Sequence, residues 1–132
     1  MTNFATKIIK MAEDTISNLP SFEDFRHDNG TSYWLASEFM TMLGYNDVKS
    51  FQSVINRAIK ACMSLGIEFD EHFISVPKSD EKEKDYKLTR FACYLSAMNG
   101  DPKKPEVAKA QFYFVNQTRK FELIIEKAAE QI

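Results

Sequence analysis

The sequence holds only two cysteines in 132 residues, Cys62 and Cys93. Each lies inside an apolar pattern with helical spacing and lacks a CxxC partner, so neither a disulfide framework nor a zinc site is expected, and a reducing compartment fits best. Histidine is equally scarce. His27 and His72 show no HxH or HExxH spacing and read as solvated side chains rather than metal ligands or members of a triad. The four glycines, at 30, 44, 66 and 100, stand far apart, which excludes the GxGxxG and GxxxxGK[ST] phosphate cradles and leaves turns and helix ends as their use. No run of about 18 apolar residues occurs and the opening Met1 to Lys7 is not a signal peptide, so a cytoplasmic protein with no membrane partner is expected. Acidic pairs such as Glu23-Asp24 and Asp70-Glu71 are adjacent in sequence, which points their side chains apart along a strand and builds no convergent metal site. With no nucleophile beside a base either, the chain reads as non-catalytic, without metal or cofactor.

What is present is an aromatic-rich globular composition: eleven Phe, five Tyr and one Trp, with 44% hydrophobic and 27% charged residues. A chain of this length buries roughly two-thirds of its unfolded surface and supports a single core. Its charge is nearly balanced, at −2, but unevenly placed. From Ile67 to Asp85 three Lys face seven acids, a net of −4, whereas from Tyr86 to Glu122 seven Lys or Arg face three acids, a net of +4. A basic face on a slightly acidic protein is compatible with both counts, as is plain solvated surface.

Periodicity divides the chain into short elements. Residues 1–20 form an N-terminal amphipathic helix in this reading, and 21–132 a single domain ending in a long helix. Phe22 to Arg26 and Ser32 to Leu35 are expected to be antiparallel strands around the Asn29-Gly30 turn. A helix from Ala36 to Leu43 closes at Gly44, and a second, capped by Asn46 or Asp47, carries Phe51, Val54, Ile55, Ala58, Ile59 and Cys62 inward up to Gly66, in the manner of a helix-turn-helix unit. Glu71 to Val76 is a strand ended by Pro77, the polar run from Lys78 to Asp85 an exposed hairpin tip, and Tyr86 to Leu88 the returning strand. Thr89 caps a helix that ends at Asn99-Gly100. From Pro105 a last helix extends to near Ile132, about 40 Å at 1.5 Å per residue. That exceeds the width of such a domain, so its end must pack on the N-terminal helix, a second copy or a partner.

Lys87, Arg90, Lys103, Lys104, Lys109, Arg119 and Lys120 fall in the basic third, interleaved with Tyr86, Tyr94, Tyr113, Asn116 and Gln117. Cations beside rings and amides suit phosphate and base contacts. Lys49, Ser50, Gln52, Ser53 and Arg57, at the start of the second helix, offer another candidate surface. The nucleic-acid-binding candidates are therefore Lys49, Arg57, Lys87, Arg90, Lys103, Lys104, Arg119 and Lys120.

Several blocks also carry a resemblance. Lys87 to Leu95, then Asn99 to Pro105, then Ala110 to Leu123, preceded by Tyr33 to Glu38, Leu43 to Tyr45 and Asp70 to Phe73, closely resemble the N-terminal domain of the DNA-damage-inducible protein D family. The upstream blocks, with Phe51 to Cys62 among them, are also similar to the broader Bro-N domain of phage antirepressors, and the resemblance covers about residues 22 to 123. The resemblance implies an α+β, mainly helical domain with small β-hairpins, of bacterial or phage origin. It also implies association with single- or double-stranded DNA and a connection with the damage response, recombination or transcription. A recombinase or repressor is the implied protein partner. A homodimer through the terminal helices is expected, and a protein-interaction module of the inhibitor or antirepressor type is the competing expectation.

Overall fold

The computed structural model describes residues 22–77 and 84–131. The expected N-terminal helix and most of the expected hairpin tip lie outside them. Among the described residues the fold is α+β, as its patterning implies: a four-stranded antiparallel sheet and four α-helices, two of them long. A 3-10 turn at Phe22–Phe25 precedes β1 (His27–Asp28) and β2 (Ser32–Leu35). Then come α1 (Ala36–Met42), α2 (Val48–Ser64), a second 3-10 turn at Phe69–Glu71, β3 (Phe73–Pro77), β4 (Lys84–Leu88), α3 (Arg90–Met98) and α4 (Pro105–Glu130).

The strand expected from Phe22 to Arg26 is not formed. Phe22 and Phe25 stand three residues apart, one turn of a 3-10 helix, and the indole Nε1–H of Trp34 donates to the Phe22 carbonyl at 2.9 Å. That bond holds the Phe22 ring flat against Trp34, with centroids 4.4 Å apart. Burying this stack outweighs the two or three ladder bonds a longer β1 would gain. Glu71 and His72 likewise fall outside β3, which starts at Phe73.

The sheet runs β1-β2-β4-β3, so two hairpins meet along the short β2/β4 seam. Alternation along the strands gives each face a distinct character. Trp34, Leu88 and Phe73 form one cross-sheet row and are buried under the helices. Leu35, Lys87 and Ile74 form the next row on the opposite face, where Ile74 is 45% exposed.

Local chemistry explains the helix starts. Asp47 accepts from the Ser50 amide and caps α2, and Thr89 accepts from the Ala92 amide and caps α3. Helix α1 has no side-chain cap of its own, since Leu35 stands at that position. Asp85 of β4 supplies one from 48 residues away, accepting from the Ser37 amide at 3.0 Å and the Ser37 hydroxyl at 2.6 Å. The first turns of α4 pack tightly on two glycines. A Cβ at Gly44 would lie 2.7 Å from Glu106 Oε2, and one at Gly100 2.9 Å from Val107 Cγ1. Gly44 also ends α1 with φ +79°, whereas Gly100 needs no left-handed conformation and serves by close approach alone.

Candidate nucleic-acid interface

Thr89 divides two basic residues with opposite surroundings. On one side, Arg90 sits in a cage. Its guanidinium donates to both Glu23 carboxylate oxygens, at 2.8 and 3.1 Å, and lies 5.5 Å from the Phe22 ring centre and 5.0 Å from that of Trp34. Accepting from Arg90 holds the Glu23 carboxyl below the ordinary glutamate range, and the same bond raises Arg90 further above its own. Tyr94 and Tyr113 pack here too: Tyr94 lies 4.3 Å from Phe114, and Tyr113 lies 6.3 Å from Phe22. These rings belong to the core boundary.

On the other side, Lys87 lies on the open sheet face, its ammonium 4.8 Å from the Tyr33 ring centre. His27 pairs with Tyr33 across the first hairpin and stacks on it at 5.2 Å, and His27 Nε2 donates to Glu38 Oε1 at 2.6 Å. A groove of about 380 Å³ opens beside them. It is lined by Lys87, Tyr33, Asn29, Ser32 and Thr89 among others, with the Glu71 carboxylate as its acid. A cation, a flanked ring and several hydroxyl or amide groups thus share one concave surface, the mixture that phosphate and base contacts use.

The remaining sequence candidates do not gather there. Arg57 donates to the Asn99 carbonyl at 2.6 Å, and Lys104 reaches the Gly44 carbonyl at 3.3 Å while lying 4.9 Å from the Tyr45 ring centre. With Tyr45 accepting from the Asp101 amide, Arg57, Lys103 and Lys104 belong to one end of the domain, where α1, α2 and α3 meet the turn before α4. Arg119 bridges Glu122 and Glu126 on α4, at 2.9 and 3.2 Å, and Lys120 is its exposed neighbour. On α2, Ser50 is occupied in the Asp47 cap and Gln52 donates to Asn56 and Tyr86, leaving Lys49 exposed. Eight candidates therefore fall into separate groups, and among them Lys87 alone lines the groove beside Tyr33.

Sequence reasoning passed over Tyr33 and His27. Their signal was available: two aromatic rings of equal parity flank the Asn29-Gly30 turn. Neither histidine is merely solvated, since His72 Nδ1 lies 2.8 Å from Thr89 Oγ1 and its ring 4.7 Å from that of Phe91. Cys93 is fully buried and burial drives its thiol well above the ordinary cysteine range, so it remains a packed thiol. Among the described residues no group of three or more His, Cys, Asp or Glu side chains converges to hold a metal ion, and no helix is long and apolar enough to cross a membrane.

The sequence defines the class of this domain: residues 23–125 match the BRO family, N-terminal domain, and the chain belongs to that family. Among characterised proteins it is similar to the DNA damage-inducible protein D of Escherichia coli (strain K12), with 37% identity over 120 residues. That alignment covers 84% of this chain and 44% of the relative, so the chain spans less than half the relative's length. No solved structure gives a significant match.

Proposed function

We propose that this is a non-catalytic DNA-binding domain, acting in the damage response, recombination or transcription, that contacts DNA through the open sheet face. The observation that carries this reading is the groove where Lys87 and the His27-flanked Tyr33 ring lie together. Lys87 contacts a phosphate and Tyr33, with His27 stacked on its ring and the Lys87 ammonium over it, offers its edge and hydroxyl to a base. Lys49, Lys103 and Lys120, exposed on other elements, add long-range attraction rather than base contacts. A ring edge and a cation sharing one groove meet the free edges of unpaired bases more readily than the paired edges of a duplex, so a single strand is the tighter ligand. The damage-inducible name of the relative is consistent with such a ligand.

Fluorescence anisotropy with single- and double-stranded oligonucleotides at two salt concentrations tests it. Salt-dependent binding that weakens in Tyr33→Ala and Lys87→Ala is expected, and no salt-dependent binding to either form overturns the reading.

A second reading, an interaction module for a repressor or recombinase, is favoured by a different surface. Met63 and Phe69, 62% and 36% exposed, line a groove of about 370 Å³ with Glu68 and Asp70, and Leu65, 75% exposed, precedes Gly66 of its lining. An apolar patch with an acidic rim suits a basic amphipathic segment. Pulldown from a bacterial lysate after nuclease treatment separates the readings: a partner retained by the wild type and lost in Leu65→Glu supports the module.

A further inference from the structure

The dipeptide Asn-Gly occurs twice in this chain, as Asn29-Gly30 and Asn99-Gly100. It is a chemically labile pair, because glycine has no Cβ to keep the preceding asparagine side chain from closing on its nitrogen. The two copies stand in opposite surroundings.

Asn99 ends α3 and is held at each group that ring closure would have to move. Its side-chain Nδ2 donates to the Leu95 carbonyl at 2.8 Å, its own carbonyl accepts from Arg57 at 2.6 Å, and the Gly100 amide donates to the Ala97 carbonyl at 3.2 Å. Gly100 is buried, with Val107 Cγ1 2.9 Å from the place of a Cβ. Closure there requires the end of α3 to open first.

Asn29 meets none of these restraints. Asp28 to Ser32 are all exposed, the Asn29 side chain makes no hydrogen bond among the described residues, and a Cβ on Gly30 would meet nothing within 4 Å. The Gly30 amide is engaged only by a long bond to Asp28 Oδ1, at 3.3 Å. Asn29 also lines the groove that Lys87, Tyr33 and Glu71 share.

We propose that Asn29, and not Asn99, deamidates spontaneously in the folded protein, and that the acid so formed weakens the hold of the groove on an anionic strand. The Gly30 amide nitrogen gives its proton to solvent base and attacks the side-chain carbonyl carbon of Asn29. A nitrogen–carbon bond forms, the bond to the side-chain amide nitrogen breaks, and ammonia departs with a proton returned by solvent. Water then opens the cyclic imide at either carbonyl, leaving aspartate or isoaspartate. One water enters, one ammonia leaves, and the groove that holds Lys87 gains a second carboxylate beside that of Glu71. The effect on binding rests on the DNA-binding reading of this groove, whereas the choice between the two asparagines does not.

Peptide mass mapping of the folded 132-residue chain during incubation in mildly alkaline buffer tests this, through the single-dalton gain at each asparagine. Asn29 should react at least about tenfold faster than Asn99 in the folded protein, and the two at comparable rates in denaturant. Equal rates in the folded protein, a faster Asn99 or an unreactive Asn29 overturns the proposal. Asn29→Asp, made directly, should bind a single-stranded oligonucleotide about threefold more weakly than fresh wild type at low salt, with the gap narrowing as salt rises. Asn29→Gln should bind like wild type and show no mass gain at that position. Asn29→Asp binding as tightly as wild type overturns the effect on the groove. No binding by fresh wild type would instead sink the DNA-binding reading, while the ratio of the two rates still decides whether Asn29 is the reactive site.

Discussion

Arg90 and Lys87 stand three residues apart, carry the same charge and have opposite surroundings. The Arg90 side of Thr89 is a closed system in which Glu23, Phe22 and Trp34 satisfy the guanidinium. The Lys87 side is open, with a ring for company and a groove in front. Counting cations along the sequence gives the two equal weight. Their difference lies in partners far along the chain, such as Glu23 at a separation of 67 residues from Arg90, and it teaches that a basic segment divides into cations that hold the fold and cations that face open surface.

The sharpest break of that contrast is expected in β2, where Trp34 and Tyr33 are adjacent but face opposite sides. Trp34→Ala should cost about 3–5 kcal/mol in urea unfolding, because it removes a fully buried ring and the partner of the Phe22 carbonyl. Tyr33→Ala should cost about 1 kcal/mol or less and show its effect in DNA binding instead. Next comes Asp85, the acid two residues before Lys87. Asp85→Ala removes the acceptor of three hydrogen bonds, two from Ser37 and one from the Tyr86 amide, for about 2 kcal/mol, while the change leaves the groove residues in place.

Arg90→Ala should lower stability by about 1 kcal/mol, since the ion pair is only half-buried and the ring contacts contribute a similar amount. Its effect on DNA affinity at a temperature where both proteins are folded should be small. The pH dependence sharpens the assignment. Glu23 is depressed in the folded state, so its pairing contributes fully above the ordinary glutamate value of 4.5 and is lost as pH falls below it. Wild type should therefore lose stability on acidification more steeply than Glu23→Gln, measured by denaturation at pH 6 and in the acid range below that value. Smallest in stability is Lys87→Ala, within about 0.5 kcal/mol, yet it should reduce the slope of log affinity against log salt by about 1.

The parts of the fold that were legible are those specified locally. Asp47 and Thr89 announce α2 and α3 through their caps, Gly44 and Gly66 end helices at positive φ, and Pro105 opens α4. The α+β class and the long last helix follow from these signals and from the family resemblance. The 3-10 turn at Phe22–Phe25 was missed because its stabilisation comes from Trp34 and Phe114, far along the chain, whereas its four residues alone fit a strand. The Asp85 cap of α1 and the Glu23–Arg90 pair were invisible for the same reason, spanning 48 and 67 residues. Of the site, Lys87 was legible as a cation. Its companions were not, because register alone decides that Tyr33 shares its face and Trp34 does not.

The single backbone of α4 conceals two regimes of amide protection. From Val107 to Phe114 the helix is clamped by Phe22, Tyr94 and the two glycines, so its peptide groups open only when the domain does. From Val115 to Glu130 no side chain is buried among the described residues, and an isolated helix of about 16 residues is marginal in water. Hydrogen exchange should therefore quicken toward the tip along one unbroken helix. The outer half of α4 is in this sense an element whose order is supplied by whatever it meets.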